Sequence, residues 1–308
     1  MTKLFGRTLE VKRRNNLTKS FTHVHPLVAI SYYVGALSLI MLLFHPIILS
    51  MGLVMIFAIH FIQDRCRSLQ RWFFFMIASG LIIIVFNPFF IERGRHVLFE
   101  IFQHRFTLEA VMYGVTTALS IIGVVALFVS YNEIMTPNKI FYLFSKFLPQ
   151  FAVLLMLTLR FIPLMRRRLA EISAIQTSKG ISVLNGSWKN RAKSGLLYVQ
   201  VLLTYSLEEA IQTADSMNAR GYGQGSRSTY EYFRFKKTDA VAMIYLLMIF
   251  IFTLHGRFSG HGFLTIYPMM ESVRLSVMDL ILMGEFLLFL GFPLFVDIGG
   301  IIRWRKLN

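Results

Sequence analysis

The chain has 308 residues, of which 55% are hydrophobic and 30 are phenylalanine, with a mean hydropathy of +0.58. A soluble domain of this length keeps a polar surface that such a composition does not supply, so lipid is the expected solvent. The formal charge of +16 raises nucleic acid as a partner, to be decided by where the cations fall, and a single cysteine, Cys66, excludes an internal disulfide and a cysteine-built metal centre.

The first 26 residues are polar and carry six Lys/Arg ahead of the first apolar run. A cleavable signal peptide has a shorter basic start and a shorter apolar core, so no cleavage is expected. A spanning helix needs roughly 20 apolar residues, or about 17 at the short end. Residues 27–44 and 47–62 read as two short antiparallel spans around His45-Pro46, the second of them marginal and open to being tilted or partly re-entrant. Residues 73–91 make a third span, with Asn87-Pro88 marking its end or a kink. Residues 108–131 make a fourth, and 239–255 and 276–296 a fifth and a sixth. Between these, the run 147–159 is bounded by Lys146 and Arg160. At about 13 residues it fits a buried or interfacial helix better than a span.

Charge then sets the orientation. With the N-terminus inside, the cytoplasmic segments 1–26, 63–72, 132–238 and 301–308 hold 27 of the 32 Lys/Arg. The outer loops hold only Arg93, Arg95, Arg105, Arg257 and Arg274. That asymmetry is the positive-inside pattern, so the basic character reads as topology and no nucleic-acid partner is expected. The fold class is an all-α polytopic membrane protein with about six transmembrane helices. It divides into a basic cytoplasmic N-terminus (1–26), a four-span region (27–131), a cytoplasmic helical region (132–238), a two-span region (239–300) and a basic cytoplasmic tail (301–308). The location expected is the plasma (inner) membrane, with several passes and both termini cytoplasmic.

Within 132–238, Leu207, Ala210, Ile211, Ala214 and Met217 recur at helical spacing and form one apolar face. Glu208, Glu209, Gln212, Asp215 and Asn218 take the other side. Acidic residues come early and Arg220 comes last, as the helix dipole favours. Gly221 follows as a C-cap, where a positive φ costs glycine nothing. Upstream, Arg160-Phe161-Ile162-Pro163 leads into Arg166-Arg167-Arg168, then Leu169, Ile172 and Ile175 at helical spacing, ending at Lys179 with Gly180 as cap. One such end is an ordinary helix stop. Two of them, Ser178-Lys179-Gly180 and Ala219-Arg220-Gly221, make a matched pair of small-basic-glycine ends. A cation projecting from a helix end suits an acidic groove on a partner.

These residues resemble the transmembrane T component of energy-coupling-factor transporters, the CbiQ-type cobalt-transport permease family. The likeness runs from about His25 to about Tyr222 and is sharpest over 155–222. Arg160-Phe161-Ile162-Pro163 is similar to the family's RFIP stretch ahead of its first coupling helix. Ala219-Arg220-Gly221, followed by Tyr222-Gly223, resembles the second Ala-Arg-Gly signature, and Ser178-Lys179-Gly180 stands where the first belongs. The segment from Phe106-Thr107-Leu108-Glu109 is similar to the stretch before the family's fourth span.

The resemblance implies a scaffold between two cytoplasmic ABC-type ATPase subunits and a small substrate-binding membrane subunit, all at the lipid bilayer. Ser178, Lys179, Gly180, Ala219, Arg220 and Gly221 would dock the ATPases, and Arg160, Pro163, Glu208 and Glu209 would support the coupling helices. Lysine at 179 keeps the charge of the family's arginine and loses its planar fork, which suggests a weaker contact or a differently built ATPase. The protein would import a vitamin or a transition metal such as cobalt or nickel, would bind no cofactor directly, and would leave ATP to its partners. No G-x-x-x-x-G-K-[ST] loop occurs in the chain, consistent with that division of labour.

Other readings stay open. A stand-alone permease needs polar residues at the membrane midplane, and Glu285 is nearly alone there; it reads first as a structural pair and second as a residue facing the substrate subunit. An intramembrane enzyme would need a compact cluster. No H-E-x-x-H occurs, and Glu208-Glu209, the paired-carboxylate feature, has no histidine near it in sequence. A receptor or anchor would not need two matched basic ends. His23 with His25, and His255 with His261, lack the further ligands a metal site requires, so no metal is expected.

Overall fold

The computed structural model describes residues 20–305 apart from 65, 92–93, 102–103, 182, 185, 226–232, 268–270 and 272. It resolves into two compact units. The described residues of Met1–Pro137 and Phe233–Asn308 form one, and those of Asn138–Tyr232 the other.

The first unit begins with a 3-10 turn, Ser20–His23, and continues into α1 (Pro26–Leu42), α2 (Pro46–Asp64) and α3 (Arg67–Phe90). A two-stranded antiparallel hairpin, β1 (Val97–Ile101) and β2 (His104–Thr107), leads into α4 (Leu108–Ile134). Pro26 and Pro46 both stand at helix starts, where a missing N–H is no loss. The Thr107 hydroxyl caps α4 by accepting from the Ala110 amide at 3.3 Å. After the second unit come α8 (Lys237–Phe258), α9 (Val277–Leu290) and α10 (Phe292–Arg305). Asp239 accepts from the Lys236 amide and Asp279 from the Ser276 amide, each at 2.9 Å, so a carboxylate sits at the positive end of both helices.

Among the described residues, four helices, α2, α3, α4 and α8, are long and apolar enough to cross a membrane. The pair Val277–Leu290 and Phe292–Gly299 makes a fifth if its two halves are counted as one span, and α1 is a shorter apolar helix of 17 residues. The protein is thus all-α and polytopic. The expected single span over 276–296 is instead broken by a bend of 47°. The cause is Pro293, which has no N–H to donate and whose ring would strike the carbonyl four residues back; the helix stops at Gly291 and restarts at Phe292. The marginal second span is a full-length helix. Of the first two, it is α1 that is short.

Around α1 the packing is aromatic. Phe21, Tyr32, Tyr33, Phe286 and Phe289 are fully buried, and Tyr32 stacks on Phe289 with ring centroids 5.8 Å apart. A methyl group at Gly35 would come within 2.5 Å of the Phe289 ring, so only glycine admits this contact. Asp297 is buried and accepts from the Phe21 amide (2.8 Å) and the Gln63 side chain (3.1 Å), tying the 3-10 turn to α10 and α2. Small residues also set the α3–α4 contact. Gly80 lies against Ile122, and Gly114 against Asn87 and the backbone of Ile84.

The second unit holds most of α5 (Pro137–Phe147), then α6 (Pro149–Ser178) and α7 (Trp188–Ala219). Here the structure corrects one expectation. Arg160-Phe161-Ile162-Pro163 does not precede a separate helix; Pro163 sits inside the continuous 30-residue α6. The run 147–159 is taken up mostly in its first turns, and α6 is not among the candidate spans.

Candidate functional site

The site is built from two helix ends of the second unit. Helix α6 ends at Ser178, with Lys179 as C-cap and Gly180 at φ 78°. The Gly180 amide donates to the Thr177 carbonyl at 3.0 Å and the Ile181 amide to the Gln176 carbonyl at 2.9 Å. Helix α7 ends at Ala219 in the same way, with Arg220 as C-cap and Gly221 at φ 73°. There the Gly221 amide donates to Asn218 at 2.9 Å and the Tyr222 amide to Met217 at 3.0 Å. Both are complete Schellman motifs, in which a left-handed residue lets two amides turn back onto the last carbonyls. The sequence marks this in advance, since left-handed φ strongly favours glycine.

The capping geometry fixes what the cations do. Lys179 and Arg220 are both exposed. Among the described residues neither side chain makes an ion pair or a hydrogen bond, so each long cation projects from a rigid end into solvent. Ser178 serves its own helix, donating to the Ile175 carbonyl at 2.7 Å. Nothing lies within 4 Å of an ideal Cβ at Gly180, and the nearest group to one at Gly221 is the Gln224 side chain at 3.7 Å.

Helices α6 and α7 run past each other in the antiparallel sense. Ser206 Oγ lies 3.0 Å from Met165 Sδ, and the Arg168 guanidinium sits 5.6 Å from the Tyr205 ring centroid. Beyond the crossing, Tyr198 Oη donates to the Ile181 carbonyl at 2.9 Å, which places the end of α6 beside position 198 of α7. Arg220 is about 22 residues further on, roughly 33 Å along the helix at 1.5 Å per residue. The two cations are therefore carried to opposite ends of one helical hairpin. Sequence spacing alone did not reveal this, because it depends on the direction of the crossing.

The remaining candidates are placed differently. Arg160 is exposed on α6, and Pro163 lies one turn short of the crossing. Glu208 is exposed, with Gln212 Nε2 at 3.4 Å, and Glu209 is half-buried on the same helix. Glu285 lies in α9, away from these residues in the chain, and accepts from Thr253 Oγ1 of α8 at 3.3 Å, a link between two membrane helices. Arg168 was read only as part of a basic triplet; its stacking on Tyr205 and its 2.9 Å pair with Glu171 make it the cation that braces the crossing. The apolar face read over 207–217 exists and is uncovered, with Leu207 65% and Ile211 55% exposed.

The family model CbiQ, described as cobalt transport protein, matches residues 18–231, a stretch that includes both capped ends. The chain belongs to the CbiQ family. This CbiQ-family protein is also similar to curated relatives. The energy-coupling factor transporter transmembrane protein EcfT of Staphylococcus aureus is 24% identical over 225 residues, covering 67% of this chain and 82% of the relative. EcfT of Lactobacillus helveticus is 26% identical over 175 residues, covering 52% and 62%. EcfT of Leuconostoc gelidum is 22% identical over 191 residues, covering 58% and 69%. As a CbiQ-family member with several apolar helices, the chain is a multi-pass membrane protein of a transporter family.

Proposed function

We propose that this chain is the scaffold subunit of an ATP-driven importer of the energy-coupling-factor type. In that role it couples two cytoplasmic ABC-type ATPase subunits to a small substrate-binding membrane subunit that takes up a vitamin or a transition metal. The observation that carries the reading is the pair of Schellman-capped ends, each presenting an unpaired exposed cation, at opposite ends of one helical hairpin. Two ends so far apart suit two docking grooves, one on each ATPase. Arg220 enters one as a planar fork able to bind a carboxylate through two parallel hydrogen bonds, and Lys179 enters the other as a point charge. The unequal chemistry fits two ATPases that are not identical.

Mechanistically, the hairpin acts as a lever. Closure of the ATPases on ATP draws their grooves together and displaces both docked ends. The displacement reaches the crossing at Met165, Arg168, Tyr205 and Ser206, and from there the chain segments that join the hairpin to the membrane helices. The uncovered apolar residues of α6 and α7, among them Leu159, Ile162, Leu207 and Ile211, offer a surface on which the substrate-binding subunit is carried. ATP stays on the partners, the chain performs no chemistry itself, and both of its termini lie on the ATPase side, as the positive-inside pattern indicates.

The test is co-expression with candidate ATPases and a substrate-binding subunit, comparing wild type with Arg220→Ala, Lys179→Ala and the double variant. Loss of ATP-driven uptake in proteoliposomes, with the chain still folded and membrane-inserted, is the expected result. Wild-type assembly and uptake in the double variant would reduce both tripeptides to helix stops and remove the basis for the scaffold.

A further inference from the structure

Helix α7 carries a surface that ATPase docking does not use. At 100° per residue, Trp188, Leu196, Val199 and Leu203 fall within an arc of about 80° on one side of its N-terminal half. All four are uncovered, Trp188 at 84%, Leu196 at 71% and Leu203 at 64%. Tyr198, about 120° around the helix from the centre of this arc, is buried and bonded to Ile181. Lys189 and Lys193 flank one edge of the apolar arc and Arg191 flanks the other. Arg191 is held in place by a 2.8 Å bond from its Nε to the Val183 carbonyl. Between Glu171 and Glu208 the sequence contains no acidic residue. Past Leu203 the pattern changes, and Glu208, Glu209 and Asp215 accompany the rest of the helix.

We propose that this half of α7, residues 188–203, lies in the headgroup interface of an anionic bilayer. Trp188, Leu196, Val199 and Leu203 dip into the acyl boundary while Lys189, Lys193 and Arg191 meet lipid phosphates. A protein partner would require only the apolar arc. Cations on both edges, a tryptophan at the tip and the absence of acid together match a negatively charged lipid surface, where an indole sits at headgroup level and long basic side chains reach outward. The acidic C-terminal half would be repelled by the same surface, so the contact ends near Leu203 and leaves Arg220 free. This contact does not depend on the ATPase reading. It gives the hairpin a fulcrum on the membrane, and lipid charge would regulate its position.

The experiment uses the full chain as a single-tryptophan protein, Trp72→Phe with Trp304→Phe, reconstituted into vesicles of phosphatidylcholine with or without phosphatidylglycerol and containing brominated lipid. Trp188 emission is expected to be blue-shifted, quenched by the brominated lipid and shielded from acrylamide in the anionic vesicles. Each lysine near an anionic surface shifts such an equilibrium by roughly fivefold, so Lys189→Gln with Lys193→Gln should return about 25-fold toward the exposed state. A Trp188 open to acrylamide and unquenched by lipid in anionic vesicles would overturn the proposal. So would shielding that appears only when the substrate-binding subunit is added, which would assign the arc to a protein. Quenching equal in neutral and anionic vesicles, and unchanged in the lysine variant, would overturn the headgroup assignment. Circular dichroism and gel filtration of each variant separate these results from loss of fold.

Discussion

Substitutions at Arg220 and Gly221 should separate docking from helix termination. The Arg220 side chain is exposed and has no ion-pair or hydrogen-bond partner among the described residues, so Arg220→Ala should change the stability of the isolated chain by about 0.5 kcal/mol or less. Its effect belongs to assembly. If the arginine fills a buried acidic groove, its removal leaves an uncompensated carboxylate and costs about 3–5 kcal/mol. That is roughly a 150- to 4,000-fold loss of affinity for the ATPase. Gly221→Ala is the converse case. The new methyl meets nothing closer than 3.7 Å, so the cost is the left-handed backbone alone, about 1–2 kcal/mol. That cost falls on the isolated chain, through the last turn of α7, with Arg220 still present. Thermal unfolding of the purified chain, paired with titration of the ATPase against it, reads both quantities. The reasoning fails if Arg220→Ala lowers the unfolding midpoint while the ATPase binds with wild-type affinity, because the arginine would then be part of the helix stop.

Three further outcomes follow from the membrane unit. Gly35→Ala places a methyl 2.5 Å from the Phe289 ring, which is buried and stacked on Tyr32 and has little room to withdraw, so a loss of about 1–3 kcal/mol is expected in denaturant titration. Asp297→Ala leaves the Phe21 amide and the Gln63 side chain without this acceptor inside a buried junction. It should destabilise by about 1–3 kcal/mol for each group left unsatisfied, with Asp297→Asn intermediate; equal stability of all three proteins would show that the junction is solvated. Burial lowers the His45 imidazole below its ordinary value, against the opposing pull of the Asp279 carboxylate. The unfolded chain then binds this proton first. The stability His45 contributes is present above about pH 6.5 and is lost as the pH falls below that value toward the lowered folded one. The unfolding midpoint should therefore drop between about pH 7 and pH 5, and a His45→Asn variant should show a flatter profile over the same window.

Much of the architecture is written locally. Long apolar runs bounded by Pro, Asn and Lys/Arg suffice to mark most of the membrane helices, because in lipid a backbone must satisfy its own polar groups and a helix does so within one segment. Gly180 and Gly221 announce their helix ends for an equally local reason, the left-handed φ that closes a Schellman turn. The Arg160-Phe161-Ile162-Pro163 stretch and the two tripeptides also carried the family resemblance, since those features are properties of neighbouring residues.

Other features depend on contacts between distant residues and were not legible. Pro163 was expected ahead of the first coupling helix and lies inside α6, while Pro293 breaks the last membrane helix at Gly291; the two prolines have the same chemistry, and it is their surroundings that differ. Asp297 follows the last apolar run of the sequence and is nevertheless buried, where it meets the Phe21 amide from 276 residues away. The apolar side chains of α7 could be counted in advance, but which of its faces would meet α6 and which would stay uncovered is decided by the crossing at Tyr205 and Ser206. By itself the sequence determined the membrane class, the family likeness and the two basic helix ends, since each is set within a few turns of chain. Only the tertiary structure carried those ends to opposite extremes of one hairpin, because the direction in which two helices pack is fixed by their contacts and not by their spacing.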